Sequence, residues 1–265
     1  MNDLSKNAAR FYGFAGVYDQ ARPKMPHDPI EIICRYLGRK PELAVDLGCG
    51  TGLSTQAWHG NCGRVIGVEP SGDMLAVARQ KEDDQLCFIQ SYAHQTGLPD
   101  ACADAVICSQ SFHWMDPALT LAEVNRILKP GGVFATVDCD WPPVCDWHAE
   151  LVYCTLFDRV RRLEKTDPDL CDQYVRWEKS GHLSNIQNSG YFRYCRELVF
   201  LSRETGNTDR LIALSHSQGS LQNILKRKPA LIADALAQFE SDIRSICGEK
   251  TFEMDFCYRM RIGIK

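Results

Sequence analysis

The chain has 265 residues, 45% hydrophobic and 24% charged, a balance that excludes a disordered, collagen-like or repeat protein and fits an ordinary globular one. Thirty basic against 34 acidic side chains leave a formal charge of −4, which argues against nucleic acid as a partner. The balance is uneven: residues 1–149 hold 12 basic and 18 acidic side chains, residues 150–265 hold 18 and 16. The later part is therefore the one suited to attract an anion.

The opening residues, MNDLSKNAARFYGFAG, lack the apolar run of a signal peptide, and no stretch is long and apolar enough for a membrane span. The expected compartment is the cytoplasm, with no membrane partner. Thirteen cysteines form no CxxC pair and no Cys/His grouping with zinc spacing. They read as small core hydrophobes, with no metal expected.

Short β-branched runs alternate with helical patterns over the first 140 residues, which predicts a parallel sheet covered by helices. Residues 43–47 (LAVDL) read as a buried strand, followed by a glycine cluster and a helix to about residue 60. RVIGVE at 64–69 is a second strand, and a helix starts near Ser71, a plausible N-cap. Third and fourth strands fall at 86–90 (LCFIQ) and 104–108 (DAVIC). PALTLAEVNRILKPGG is an amphipathic helix ended by Pro130 and two glycines, before a fifth strand at 133–138.

After Asp138 the alternation stops. Residues 147–179 read as helical, a strand follows at 191–201, and helical stretches cover about 208–226 and 229–246. The last segment, TFEMDFCYRMRIGIK, alternates like a final strand. Five parallel strands plus two late ones predict an α/β fold: a Rossmann-like seven-stranded sheet with helical cap insertions. Residues 1–30 would form an N-terminal arm over the active site. Residues 31–140, 181–201 and 250–265 would form the core, and 141–180 and 202–249 the cap that selects substrate.

VDLGCGTG at 45–52 lies between a strand and a helix, as a nucleotide-type loop requires. Gly48 and Gly50 allow a bent loop and close approach of a ligand. A dinucleotide box would need glycine where Leu53 stands, and a P-loop would need Lys followed by Ser or Thr. Neither pyrophosphate pattern is present. Glu69 ends the second strand, where a carboxylate can accept both hydroxyls of a ribose. A ribose ligand without a pyrophosphate loop points to S-adenosylmethionine.

VDLGCGTG, VIGVEPSGDMLAVAR and SQSFHWMD resemble the motifs of class I S-adenosylmethionine-dependent methyltransferases. FAGVYDQARP with FHW resembles the FHW-containing, trans-aconitate methyltransferase-like subgroup. The resemblance implies that Asp46 orients the glycine loop and the methionine amino group, while Gly48, Cys49 and Gly50 line the methionine and ribose. It places Glu69 on the ribose hydroxyls, Pro70 and Met74 against the adenine, and Tyr92 and Ala93 at the adenine edge. Tyr92 stands where the family often has Asp, so the Ala93 N–H is the expected edge contact.

Ser109 and Gln110 follow the fourth strand, at the carboxyl edge where open α/β sheets bind ligands, and Gln110 is expected at the methionine end. His113 is either a general base or an orienting hydrogen-bond partner, and the second is preferred. Trp114 and Trp141 are candidate walls of the acceptor pocket, or simple aromatic packing. Tyr18 and Arg22 would close over the cofactor, with the Arg22 fork on its carboxylate. In LSHSQGSLQ at 214–222, His216 and its neighbours stand before a helix and would hold an anionic acceptor, or cap that helix through Ser217 or Ser220. KRK at 226–228 reads as a solvated helix end.

The expected function is methyl transfer to a small-molecule acceptor, possible chemistries being a carboxylic acid or C-methylation of a quinone-like ring. A tRNA or nucleobase methyltransferase is the alternative that the acidic charge disfavours. Oligomeric state is not legible in the sequence.

Overall fold

LAVDL (Leu43–Leu47) forms β1, fully buried after its first residue, and the sheet grows outward from it. A strand buried on both faces needs neighbours in the sheet and helices above and below. The computed structural model describes residues 7, 13, 15–171 and 174–265. The start of the expected arm, including Phe14 of its FAGVYD segment, lies outside the described residues, as do 172–173 of the expected cap.

β1 pairs in parallel with β2 (Arg64–Val68) and β4 (Ala103–Ser109), with Asp46 opposite Gly67 and Ile107. β3 (Leu86–Ile89) extends β2, and β5 (Leu128–Cys139) extends β4. β6 (Tyr194–Gly206) and β7 (Phe252–Ile264) complete a seven-stranded sheet of order β3-β2-β1-β4-β5-β7-β6. β7 runs antiparallel to β5, with Val137 opposite Met260. The mixed seven-stranded sheet is the α/β Rossmann-like architecture expected.

The α-helices lying wholly within the described residues are α1 (Ala15–Ala21), α2 (Asp28–Leu37), α3 (Leu53–Ala57), α4 (Gly72–Ala78), α5 (Pro117–Ile127), α6 (Trp147–Thr166), α7 (His182–Asn188), α8 (Thr208–His216), α9 (Gly219–Arg227) and α10 (Ala233–Cys247). Local chemistry sets their ends. Asp116 accepts the Leu119 N–H at 3.0 Å and Pro117 opens α5, while Asp146 accepts the His148 N–H at 2.8 Å to open α6.

Contacts divide the chain into two units. The sheet unit comprises Lys24–Cys139, Arg176–Phe200 and Tyr258–Lys265; the helical unit comprises the segment up to Pro23, Asp140–Val175 and Leu201–Cys257. The boundaries fall within β6 and β7. Val45, Leu47, Val68, Val106, Phe112 and Phe134 lie in the core of the sheet unit. In the helical unit, α6, α8, α9 and α10 bury Tyr153, Leu156, Leu221, Ile224 and Phe239 against one another.

Several predicted elements end elsewhere. α3 stops at Ala57. α5 stops at Ile127, because Leu128 turns extended and pairs opposite Ala103, so LKPGG belongs to β5. The helix expected to reach 179 ends at Thr166, since Pro168 disfavours helical geometry at Asp167. The stretch 208–226 breaks into α8 and α9 at the extended Gln218, and a 3-10 turn at Pro229–Leu231 precedes α10. Residues 176–180, expected in the cap, group with the sheet unit. Among the described residues no helix is long and apolar enough to cross a membrane, and the described cysteines are all free.

Candidate active site

The glycine loop after β1 is built by the residues beneath it. Gly48, Gly50 and Gly52 have φ of 67°, 57° and 85°, the left-handed region that glycine enters without cost. A Cβ at Gly48 would fall 2.7 Å from Ser111 Cβ, whereas one at Gly50 would meet nothing within 4 Å. Gly48 is thus closed against the turn after β4, and the space beside Gly50 is open.

Glu69 follows β2 and is 6% exposed. Its Oε2 accepts the Gly50 N–H at 3.0 Å and its Oε1 the Ser71 N–H at 2.8 Å. Burial pushes its pKa up to about 7 against those two hydrogen bonds. Each oxygen keeps a further lone pair for a hydroxyl donor. Ser71 sits at the N-cap of α4 without a side-chain cap bond; its backbone N–H, on Glu69, does the local work.

Asp46, on β1, is fully buried. Its Oδ2 accepts Ser54 Oγ at 2.6 Å and Thr55 Oγ1 at 2.7 Å, while Oδ1 has no hydrogen-bond partner. Burial raises its pKa to about 6. An orphaned carboxylate oxygen calls for a cationic or N–H donor. Open space at Gly50, two hydroxyl-accepting oxygens at Glu69 and one orphan oxygen at Asp46 fit the ribose and amino groups of an S-adenosylmethionine-type cofactor. Cys49 is buried, its thiol pushed well up by burial. Met74 is 2% exposed and Ala93 7%, so they offer little surface; Tyr92 is 37% exposed beside His94.

At the end of β4, Ser109 leads into Gln110, whose φ of 56° is strained for a residue with a Cβ. The Gln110 N–H donates to Val137 O at 2.8 Å. The FHW turn follows at Phe112–Trp114. His113 is buried, with Nδ1 3.6 Å from Asp138 Oδ1. Burial, opposed by Asp138, drives its pKa down to about 3. The imidazole is neutral near pH 7, and such a weak conjugate base suits orientation better than proton removal.

Asp138 ends up at the centre of a cluster that the sequence reading left out. Its Oδ2 accepts Arg261 at 2.8 Å, its Oδ1 faces Lys179 Nζ at 3.1 Å, and His182 Nε2 lies 3.7 Å from Oδ2. Burial works to raise its pKa, but the nearby His113 imidazole and the Lys179 charge hold it well below the usual carboxylate range. Ligand-type atoms of His113, Asp138 and His182 lie within 4.8 Å of one another. A divalent ion there would stand beside an ammonium and a guanidinium already neutralising the carboxylate, so the group fits charge balance and not a metal centre. The available signal was Asp138 at the end of the apolar run VFATV and Arg261 inside the closing MRIGI, since buried charges need partners.

Lys179 also donates to Gln110 Oε1 at 3.1 Å, and the Trp177 N–H donates to His113 O at 2.9 Å. The segment from Arg176 thus lines the FHW turn.

Four other candidates lie in the helical unit. The Arg22 fork donates to Ser217 O at 3.2 Å and Gln218 Oε1 at 3.1 Å. Its guanidinium is 5.0 Å from the ring centres of both Tyr18 and Trp141. His216 Nε2 is 2.8 Å from Glu240 Oε1. Ser217 Oγ donates to Leu214 O instead of capping α9, which has no side-chain cap. Lys228, expected in solvent, pairs with Asp167 at 2.8 Å and Asp169 at 2.6 Å.

A Rossmann-like sheet, a glycine loop without pyrophosphate spacing and an acid after the second strand define the architecture of class I methyltransferases. Residues 45–136 match the methyltransferase domain family. An uncharacterized methyltransferase of Mycobacterium tuberculosis is 34% identical over 122 residues, 46% of this chain and 49% of the relative. A malonyl-[acyl-carrier protein] O-methyltransferase of Serratia marcescens is 32% identical over 127 residues, 48% of this chain and 49% of the relative. The matched regions span about half the length of these relatives. The solved structure of a proposed type II methyltransferase from Anaeromyxobacter dehalogenans superposes with a TM-score of 0.71, covering 92% of this chain and 97% of its own at 22% identity, a likeness of fold.

Proposed function

We propose that the protein is an S-adenosylmethionine-dependent methyltransferase acting on a small carboxylic acid. The observation that carries the cofactor is Glu69, which ties down the glycine loop at Gly50 and Ser71 while keeping lone pairs for two ribose hydroxyls. Asp46 Oδ1, buried without a partner, would take the methionine amino group. Gly48, Cys49, Gly50, Pro70, Met74, Tyr92, Ala93, Ser109 and Gln110 complete the proposed cofactor surface.

When bound, the cofactor supplies a methyl group on a cationic sulfur, which an aligned oxygen can take in one displacement. A carboxylate acceptor is already ionised near neutrality, its reference pKa being about 4. It therefore needs alignment and not a base. His113, held neutral with Nδ1 toward Asp138, supports that reading because it is a poor proton acceptor. The malonyl-[acyl-carrier protein] O-methyltransferase among the relatives, and the trans-aconitate methyltransferase-like motifs, favour an acid in the same direction.

The test is titration calorimetry with S-adenosylhomocysteine, followed by a screen of small acids, amines, phenols and bulk tRNA with radiolabelled methyl donor. One-to-one binding and a base-labile methyl ester are expected. Tight binding of NADH instead would overturn the cofactor, and label appearing in amines or tRNA alone would overturn the acceptor class.

A further inference from the structure

Two cations from the segment after Val175 pack against residues 110–114, Arg176 on Trp114 and Lys179 on Gln110. The Arg176 guanidinium lies 5.5 Å from the Trp114 ring centre, is exposed, and makes no ion pair among the described residues. Lys179 Nζ is held by Asp138 Oδ1 and Gln110 Oε1, each at 3.1 Å, with 24% of its side chain exposed. Asp138 already has Arg261 on its other oxygen, so it anchors Lys179 without depending on it for neutrality. With Gln110 taking one N–H, the ammonium retains donors for a ligand.

We propose that Arg176 and Lys179 form an anion site for the acceptor, a small molecule with two carboxylates on a short carbon chain. This rests on reading the protein as a methyltransferase of small acids, and it assigns the recognition to residues that reading does not use. Trp114 fixes the guanidinium by stacking, and Asp138 with Gln110 fixes the ammonium, so both cations are placed before a ligand arrives and less ordering is lost on binding. Glu178, exposed between them, carries no ion pair among the described residues. Arg22 and His216, the side chains expected from the sequence to take an anion, have their fork and Nε2 engaged inside the helical unit.

The experiment is calorimetry on the full chain saturated with S-adenosylhomocysteine, using succinate, glutarate and the uncharged dimethyl glutarate as probes. At least one diacid is expected to bind at millimolar concentration or below, and the diester is not. Arg176→Gln and Lys179→Gln are each expected to weaken diacid binding roughly tenfold or more, the range for a lost hydrogen bond to a charged group; S-adenosylhomocysteine affinity should be unchanged in Arg176→Gln, which touches no residue of the proposed cofactor surface. Arg176→Lys, which keeps the charge and loses the fork, should fall between. With any diacid that accepts methyl, the same variants should raise KM and leave kcat nearly as it was. Diester binding equal to diacid binding, no diacid binding, or unaltered diacid binding by both Gln variants would each overturn the site. If S-adenosylhomocysteine itself fails to bind, the methyltransferase reading falls with it; if it binds and the acids do not, this inference alone falls.

Discussion

Glu69 Oε2 accepts the backbone N–H of Gly50 at 3.0 Å, so the acid after the second strand braces the glycine loop as well as facing a ligand. Burial raises this carboxyl from 4.5 to about 7. A native pKa above the unfolded one means the native state favours the protonated form, so Glu69 costs stability progressively as pH rises from 4.5 through about 7. Ribose hydroxyls donate to the ionised form. S-adenosylhomocysteine binding should therefore strengthen as pH rises through about 7 and release a proton below it. Calorimetry in two buffers of different ionisation enthalpy reads that proton directly; flat affinity with no release between about pH 6 and pH 8 would remove Glu69 from the binding site.

His113 provides a second test, because its imidazole has been driven down to about 3. His113→Gln retains a hydrogen-bonding group without a useful basicity. The fall in kcat should be less than about tenfold, and neither protein should show an acid limb near pH 6.5. A hundredfold loss that abolishes such a limb would make His113 the base.

Gly48 and Gly50 separate stability from binding. A Cβ at Gly48 would lie 2.6 Å from Met115 Cε, which can swing away, and 2.7 Å from Ser111 Cβ, which cannot because Ser111 Oγ donates to Leu47 O at 2.6 Å. Gly48→Ala should lose roughly 2–4 kcal/mol, combining left-handed strain and overpacking. Gly50→Ala adds only the strain, about 1 kcal/mol, yet places its methyl in the open space beside the loop. Urea denaturation and S-adenosylhomocysteine titration of the two variants should give opposite rankings; equal affinity of Gly50→Ala and wild type would argue against close cofactor approach there.

Acid stability should report Asp104, at the opposite end of β4 from the FHW turn. Burial would raise its pKa, but Arg39 at 2.7 Å, the Leu43 and Glu42 N–H groups, and Lys129 at 3.0 Å bring it down to about 2. A depressed acid contributes stability that is fully present above its unfolded value of 3.8 and is lost as pH falls through about 2. Asp104→Asn should lower the urea midpoint at neutral pH and flatten its decline between about pH 4 and pH 2. An unchanged pH dependence would show that the cluster is not what holds that edge.

Elements with local signals are legible along the chain alone. The buried run LAVDL, the spacing of Gly48, Gly50 and Gly52, the acid at 69 and the alternation of the last strand need only neighbours along the chain, and they specify the Rossmann-like sheet and its loop. Helix ends were less legible where one residue decides, as at Gln218 and at Asp167 before Pro168. Which distant charges meet is settled by folding. Asp138, Lys179, His182 and Arg261 lie on different elements up to 123 residues apart, and no periodicity links them. They come together because a carboxylate withdrawn from water must find cations and donors, and that requirement is met by folding, not by spacing. The same holds for Arg22, whose fork is claimed by Ser217 and Gln218, 195 and 196 residues away.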